Sequence, residues 1–288
     1  MAIATGAARW LKRILVGTIL FFVVVEVALR LWGFTRYPLF VADARYEYMQ
    51  APDQDTHFGK IHFVTNALGM RCGPIGPKKK RRVLVIGDSV INGGYQTTQD
   101  SLATELLNAA GSVEVLNCSA PSWGADNAAA FLAAHGTFSS DQILVVLSSH
   151  DAYDRMTFEP IVGRHPSYPD HKPLLAWSTL FDKLKYRWGG YPGKPRGKIF
   201  NPGWAELRDL SRRSAVPIII VLHPELGEVK MKHYDKRGQL LLDSLAAWDL
   251  PVVRALDSMS VDLYTDDIHV SDRGQRRIAA ILAPLLGQ

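Results

Sequence analysis

Near residue 80 the chain reads Arg82-Val-Leu-Val-Ile-Gly-Asp-Ser-Val90, an apolar run that ends in Gly87-Asp88-Ser89. A short, continuous Val/Ile/Leu run of this kind is typical of a strand buried on both faces of a parallel sheet. Open α/β sheets place their chemistry just past the carboxyl ends of such strands. The hydroxyl of Ser89 is therefore a candidate nucleophile, although Asp88 or Ser89 here would also suit a simple helix cap.

Four more apolar runs follow at helix-length intervals. We predict strands near residues 82–87, 113–117, 142–147, 216–222 and 251–254, and helices near 99–110, 124–136, 202–214, 234–248 and 272–286. Strands that alternate with helices form parallel sheets covered on both faces. The predicted fold class is therefore α/β, with a three-layer, doubly wound parallel sheet.

A possible base for Ser89 lies near the other end of the chain, in Tyr264-Thr-Asp-Asp-Ile-His-Val-Ser-Asp-Arg-Gly274. A serine hydroxyl becomes a good nucleophile when a base removes its proton and a third group orients that base. His269 suits the first role and Asp266 the second, on a loop before a helix capped by Ser271. The alternative is an exposed Asp and His in an ordinary turn.

Two other strand ends carry small or polar residues that would face Ser89. Val113–Gly124 runs into a small-residue loop, and Gln142–Asp151 ends in Ser148-Ser149-His150-Asp151. His223, at the end of the fourth strand, is a further candidate, although its position alone assigns it no role. The predicted substrate contacts are Asn117, Gly124, Asp151 and His223.

These ordered blocks resemble the SGNH, or GDSL-type, hydrolase family, and the likeness covers residues 81–288. The resemblance implies the flavodoxin-like fold of that family, with Ser89 as nucleophile and its own backbone N–H as one oxyanion donor. Asp266 and His269 match the Asp-x-x-His block without change. Esterase chemistry without a metal or cofactor is what this likeness implies.

Two positions depart from the family pattern. Ser122 stands where the second block has a glycine whose backbone N–H donates to the oxyanion, and a backbone donor survives this change. His150 stands at the usual asparagine, where an imidazole N–H is able to donate in its place. Alternatively, His150 hydrogen-bonds its own loop as a structural residue.

The first 33 residues are predicted to form a membrane anchor. Ile14 to Gly33 is almost wholly apolar and long enough to span a bilayer, with Glu26 and Arg30 able to pair at its far end. Basic residues precede this run, which favours an extracytoplasmic body. We therefore expect a single-pass protein of the bacterial inner membrane with a periplasmic domain; a cleaved signal peptide, and for Glu26 a functional intramembrane carboxylate, are the alternatives.

In two further segments the apolar residues show no clear helical or strand periodicity. Residues 34–80 are predicted to form an extracytoplasmic connecting segment, and residues 152–200 a lid or insertion over the presumed active site. The insertion is rich in aromatic residues, which either stack on sugar rings or form a small core of their own: Trp177, Tyr186, Trp188 and Tyr191.

The net charge and the cysteine count limit the classes of partner that the chain is expected to bind. The net charge of +5 would suit nucleic acid, but the chain has no zinc-finger spacing, helix-turn-helix or aromatic-basic RNA motif, so we expect anionic lipids or acidic glycans instead. Cys72 and Cys118 are too few for a disulfide framework or a metal cage. One bridge between them is possible in an oxidising compartment, or Cys118 is simply buried.

The leading functional hypothesis is a membrane-anchored serine hydrolase that removes O-acyl groups, foremost O-acetyl, from a surface or exported polysaccharide. A polysaccharide O-acetyltransferase would use the same Ser89, His269 and Asp266, with a sugar hydroxyl in place of water. A third hypothesis is a non-catalytic polysaccharide-binding or assembly subunit. Predicted partners are an acylated carbohydrate or other ester, the lipid bilayer, and membrane proteins of exopolysaccharide synthesis.

Overall fold

A computed structural model describes residues 2–189, 199–214 and 216–287. In chain order its elements are α1 (Ala2–Trp32), β1 (Phe40–Asp43), β2 (Glu47–Gln50), β3 (Asp55–Phe58), β4 (Ile61–Val64), β5 (Arg82–Gly87), α2 (Ser89–Asn92), α3 (Ala103–Ala109), β6 (Glu114–Ser119), α4 (Ala125–His135), β7 (Gln142–Ser148), α5 (Ala176–Gly189), α6 (Gly203–Arg213), β8 (Ile218–His223), α7 (Leu226–Met231), α8 (Lys236–Ala247), β9 (Val252–Arg254) and α9 (Asp272–Leu282).

The central sheet has five parallel strands in the order β6-β5-β7-β8-β9. This is the 2-1-3-4-5 order of flavodoxin-like doubly wound sheets, which bind ligands where the strand order reverses. The reversal lies at β5, and Ser89 begins directly after it. Gly87 is required at this strand end because a Cβ there would lie 2.2 Å from the carbonyl oxygen of Val146. The predicted fold class is confirmed.

Helices cover both faces of the sheet. Along β5, Leu84 and Ile86 pack into one apolar core, and Val83 and Val85 into the other. Helices α4, α6 and α8 close the first core with Phe131, Leu207 and Leu241. Helices α3 and α9 close the second with Leu107 and Ile278. Burial on both faces explains why the strands are continuously apolar.

The predicted elements match the observed ones to within a few residues. Helix α3 begins at Ala103 because Gln99–Ser101 form a separate 3-10 turn. Helix α9 ends at Leu282, and Ala283–Leu285 continue as a 3-10 turn that contains a proline, which lacks the N–H that a continuing α-helix needs. The strand near residue 113 extends to Ser119, two residues beyond the predicted end.

The segment 34–80 contains two antiparallel hairpins, β1–β2 and β3–β4. None of these four short strands alternates strictly between apolar and polar residues, so the sequence did not reveal them. Tyr48 is fully buried in the first core and accepts a hydrogen bond on its carbonyl from Trp123 Nε1 (3.0 Å). The buried guanidinium of Arg71 donates to the carbonyl of Asn92, the last residue of the Ser89 helix, and to that of Thr97, five residues later.

Helix α1 is long and apolar enough over Ala8–Trp32 to cross a membrane, as an anchor or a signal sequence does. None of its most apolar stretch is buried against the rest of the protein. The predicted pair is present, since Arg30 Nε lies 2.6 Å from Glu26 Oε1.

The two cysteines, Cys72 and Cys118, are buried and unpaired. Burial raises the pKa of both thiols.

Candidate active site

Ser89, His269 and Asp266 lie in one chain of hydrogen bonds. His269 Nε2 is 2.9 Å from Ser89 Oγ, and His269 Nδ1 is 2.8 Å from Asp266 Oδ2. These contacts fit a neutral imidazole that donates from Nδ1 to the carboxylate and accepts the serine proton on Nε2. Ser89 and His269 are 180 positions apart in the chain, yet the sheet and the loop before α9 bring them together.

The backbone holds Asp266 in its ionised form. Its Oδ1 accepts hydrogen bonds from the N–H groups of Ile268 (3.0 Å) and His269 (2.7 Å). Burial alone would raise the pKa of Asp266, but these donors and the His269 side chain outweigh burial and lower that pKa to about 2. At neutral pH the carboxylate is therefore available to orient His269 and to stabilise an imidazolium.

Glutamines that the sequence did not indicate support this arrangement. Gln96 Nε2 lies 3.2 Å from Asp266 Oδ2. From α9, the buried Gln275 donates to the carbonyl of Val90 (2.8 Å) and accepts from the N–H of Ala103 (3.0 Å), which ties the His269 side of the site to the Ser89 helix. No motif marks either glutamine, because each acts through contacts made only in the folded chain.

Ser122 has a left-handed backbone, with φ at 58°. This conformation favours glycine, which accounts for the glycine that the family pattern has at this position. Among the described residues, the backbone N–H groups of Ser89 and Ser122 have no hydrogen-bond partner, so both are free to donate to a ligand. The Ser122 hydroxyl accepts from Tyr168 of the insertion (3.1 Å).

His150 lies among three carboxylates. Its Nε2 is 3.9 Å from Asp88 Oδ2 and 3.8 Å from Asp151 Oδ1, and its Nδ1 is 3.4 Å from Glu225 Oε1. Burial alone would lower the pKa of His150, but these carboxylates outweigh burial and raise that pKa to about 10. The three carboxylates therefore favour the imidazolium form of His150. The sequence did not indicate Glu225, which approaches from the start of α7.

Burial raises the pKa of Asp88 and Asp151. One oxygen of each carboxylate, Asp88 Oδ2 and Asp151 Oδ1, is buried without a hydrogen-bond partner. The other oxygens accept from the backbone N–H groups of Val90 and Ser148, both at 2.8 Å. Asp151 therefore supports the loop and His150, and both of its oxygens lie out of reach of solvent.

The other predicted contact residues lie in supporting positions. Asn117 is fully buried, and its amide donates to the carbonyl of Ile91 (3.1 Å) beneath the Ser89 helix. Gly124 permits a close approach, because a Cβ there would lie 2.5 Å from the carbonyl oxygen of Asp154. His223 is buried beneath the His269 loop, 3.4 Å from the carbonyl of Ile268, and burial lowers its pKa to about 4.

Among the residues that the structure describes, two groups of side chains are of types that could hold a metal ion. Asp88, His150 and Asp151 have ligand atoms within 4.8 Å of one another inside the site, as do Asp55, His57 and His62 on the exposed β3–β4 hairpin. In the first group His150 Nε2 faces both carboxyl groups, 3.9 Å from Asp88 Oδ2 and 3.8 Å from Asp151 Oδ1.

The insertion contributes a cavity and contacts with α1. A cavity of about 670 Å³ is lined by residues that include Tyr37, His165, Lys185 and Tyr186, and Ser89 is not among them. Of the aromatic residues expected either to stack on sugars or to form a small core, Tyr186 packs against His165 (4.8 Å between ring centres) and Trp177 against Phe22 (5.1 Å). Tyr191 lies outside the described residues.

The site and fold are those of an α/β protein with a serine-histidine-aspartate arrangement at the switch point of its sheet. Solved structures similar to the chain include a putative lipolytic protein of the G-D-S-L family from Desulfitobacterium hafniense DCB-2, at 12% identity and TM-score 0.44, covering 72% of this chain and 99% of that one. A carbohydrate acetylesterase family member from Sinorhizobium meliloti matches at 17% identity and TM-score 0.42, covering 72% and 100%.

An aryl esterase of M. smegmatis matches at 16% identity and TM-score 0.44, covering 72% of this chain and 98% of that one. No protein-family model and no curated protein matches the chain. The predicted resemblance to the SGNH/GDSL hydrolases is confirmed as a distant structural likeness, and the chemistry of the site rests on its geometry.

Proposed function

We propose that the protein is a membrane-anchored serine hydrolase that removes O-acyl groups, foremost O-acetyl, from an exported or cell-surface polysaccharide. The observation that carries the proposal is the hydrogen-bond chain from Ser89 Oγ through His269 to Asp266. The low pKa of Asp266 and the free N–H groups of Ser89 and Ser122 support it.

In the proposed reaction, His269 Nε2 takes the proton of Ser89 as Oγ attacks the carbonyl carbon of the ester. The N–H groups of Ser89 and Ser122, together with His150, stabilise the oxyanion. His269 then protonates the alcohol oxygen as the C–O bond breaks, which leaves the acyl group on Ser89. Water attacks this acyl-enzyme and gives its proton to His269, and the proton returns to Ser89 as the acid leaves.

The fate of the acyl group tests the proposal against its alternatives. The full chain in detergent is incubated with p-nitrophenyl acetate, with and without oligosaccharide acceptors. Release of acetate supports the hydrolase, transfer of acetate to sugar would support an O-acetyltransferase, and no turnover would support a non-catalytic subunit.

Covalent labelling tests the nucleophile separately. A fluorophosphonate should transfer its phosphonyl group to Ser89 Oγ as the P–F bond breaks and fluoride leaves, because an activated serine attacks phosphorus as it attacks an acyl carbon. Fragment-ion mass spectrometry should locate the adduct on Ser89 itself rather than on Ser101, the next serine along the chain. An adduct at any other serine would contradict the assignment of Ser89.

The proposed location is the bacterial inner membrane, with the site on the periplasmic side. Its support is the apolar stretch Ala8–Trp32 of α1 and the basic residues Arg9, Lys12 and Arg13 at its start. The acylated glycan and the membrane proteins that assemble it are the proposed partners.

A further inference from the structure

The insertion helix α5 begins against the apolar helix α1. Trp177 Nε1 donates a hydrogen bond to the carbonyl oxygen of Phe22 (3.2 Å), and the two rings are 5.1 Å apart. Phe22 lies ten residues before Trp32, the end of the apolar stretch, which is about 15 Å along the helix axis. The first turn of α5 thus contacts a part of α1 that is well inside a bilayer-spanning segment.

Glu26 and Arg30 form the polar part of this contact. The Glu26 carboxylate accepts hydrogen bonds from the N–H groups of Ala176 (2.9 Å) and Trp177 (3.2 Å), and Arg30 donates to the carbonyl of Leu174. A lone carboxylate in a membrane segment is costly, as are the free N–H groups of a helix start. Here the carboxylate and the N–H groups satisfy each other, so α5 accounts for the charged pair in α1.

An apolar stripe runs from this contact along α5. Trp177, Phe181, Leu184 and Trp188 are spaced i, i+4, i+7 and i+11, which places them on one face of the helix. Phe181 is 58% exposed and Trp188 is 80% exposed. A different face of α5 contacts the rest of the protein, where Lys183 Nζ lies 4.0 Å from the centre of the Tyr37 ring.

We propose that the stripe from Trp177 to Trp188 faces the bilayer beside α1, so that α5 is a second contact with the membrane. The inference rests on the proposed anchoring of α1. It follows from continuity, since Trp177, the first residue of the stripe, contacts Phe22 inside the apolar stretch, while Phe181 and Trp188 are exposed. Tryptophan is enriched at membrane interfaces, and the exposed Lys185 and Arg187 suit anionic headgroups.

Depth measurements on the full chain in vesicles of phosphatidylcholine and phosphatidylglycerol test the inference. Because both native thiols are buried, a spin label can be attached at Phe181→Cys or Trp188→Cys. Leu20→Cys in α1 is the lipid control, and Val261→Cys, on the exposed surface of the domain, is the water control. We expect labels at 181 and 188 to collide more with oxygen than with a water-soluble nickel complex, and the label at 261 to show the reverse.

The remaining outcomes overturn the inference in distinguishable ways. If the labels at 181 and 188 report water while the label at 20 reports lipid, α1 is still a membrane anchor but the stripe faces water. A glycan-binding face would have to face water in this way. Dipolar broadening between labels at 188 on two molecules would show that a second copy covers the stripe. An aqueous reading at 20 would overturn the anchor itself, independently of esterase turnover.

A substitution at Glu26 tests the link between the two helices. Glu26→Ala should make the label at 188 more mobile and reduce its collisions with oxygen, while the label at 20 keeps its depth. Asp43→Ala is the matched control, because it removes a carboxylate paired with Arg45 (2.8 Å) outside α1; it should change neither label. An unchanged label at 188 in Glu26→Ala would overturn the role given to this carboxylate.

Discussion

At the scale of single residues, the proposed nucleophile and its base are held by different parts of the fold. Ser89 is set by β5 and by its position at the start of α2, where Asp88 caps the helix through the N–H of Val90. His269 is set by Asp266, whose own orientation depends on backbone donors. Since the hydroxyl and the imidazole contact each other directly, substitution of either one should affect chemistry more than folding.

Ser89→Ala should lower ester turnover by at least about 10⁴-fold, and His269→Ala should be nearly as severe, because a nucleophile and its base act as a unit. Steady-state rates with an aryl acetate measure this, with circular dichroism as the control for folding. A Ser89→Ala protein that retains more than about a tenth of the activity, free of contaminating esterase, would disprove the proposed nucleophile.

His150 gives a second residue-scale prediction. If its imidazolium donates to the oxyanion, His150→Ala should lower kcat by about 10²–10³-fold, the usual loss for one oxyanion donor, and His150→Asn should recover much of it. Since the pKa of His150 is raised to about 10, wild-type kcat should fall as pH rises through 10, and the Asn variant should lack this limb. Full activity in His150→Ala would assign the ring to loop structure.

The same titration predicts a change in stability. The folded-state pKa of His150, about 10, is above its ordinary value of 6.5. Its contribution to the free energy of unfolding is therefore complete below pH 6.5 and is lost as pH rises towards 10. Urea denaturation at pH 6.5 and 9.5 should show a wild-type advantage over His150→Asn that shrinks at the higher pH. A constant difference would show that the ring is not charged in the folded protein.

At the scale of helices and strands, residues that interact with near neighbours in the chain were the predictable ones. Five apolar runs predicted the strands of the sheet, and the three-residue spacing of Asp266 and His269 predicted that these two side chains act together. Gln96, Glu225 and Gln275 were missed, because each acts across a long chain separation and belongs to no motif. The hairpins of residues 34–80 were missed because their strands do not alternate strictly between apolar and polar residues.

Gln275 connects three helices, and its loss should destabilise the fold. Gln275→Ala leaves the buried carbonyl of Val90 and the N–H of Ala103 without partners, and an unsatisfied buried group costs about 1–3 kcal/mol. Gln239→Ala is the control, since the Gln239 side chain lies on the exposed face of α8 and donates to the side chain of Asp243. Urea denaturation should give a clear loss for the first variant and a change within about 0.5 kcal/mol for the second.

At the scale of the whole molecule, α1 contacts both the β3–β4 hairpin, where the Gly59 N–H donates to the carbonyl of Trp32, and the start of α5. A reporter that is active only outside the cytoplasm, fused after Gln288, should be active and should remain in the membrane fraction after a carbonate wash. Recovery of a soluble fusion that lacks the first 30 or so residues would show that the segment is a cleaved signal.

The unpaired state of Cys72 and Cys118 has a consequence for how the molecule is made. No covalent cross-link has to form after translation, so the folded chain is chemically the same whether an oxidant is present or not. Since both thiols are buried and their pKa values are raised, neither is readily ionised for exchange with other thiols. Protein produced in a reducing compartment should therefore give the same urea unfolding curve, with or without dithiothreitol, as protein exported into an oxidising one.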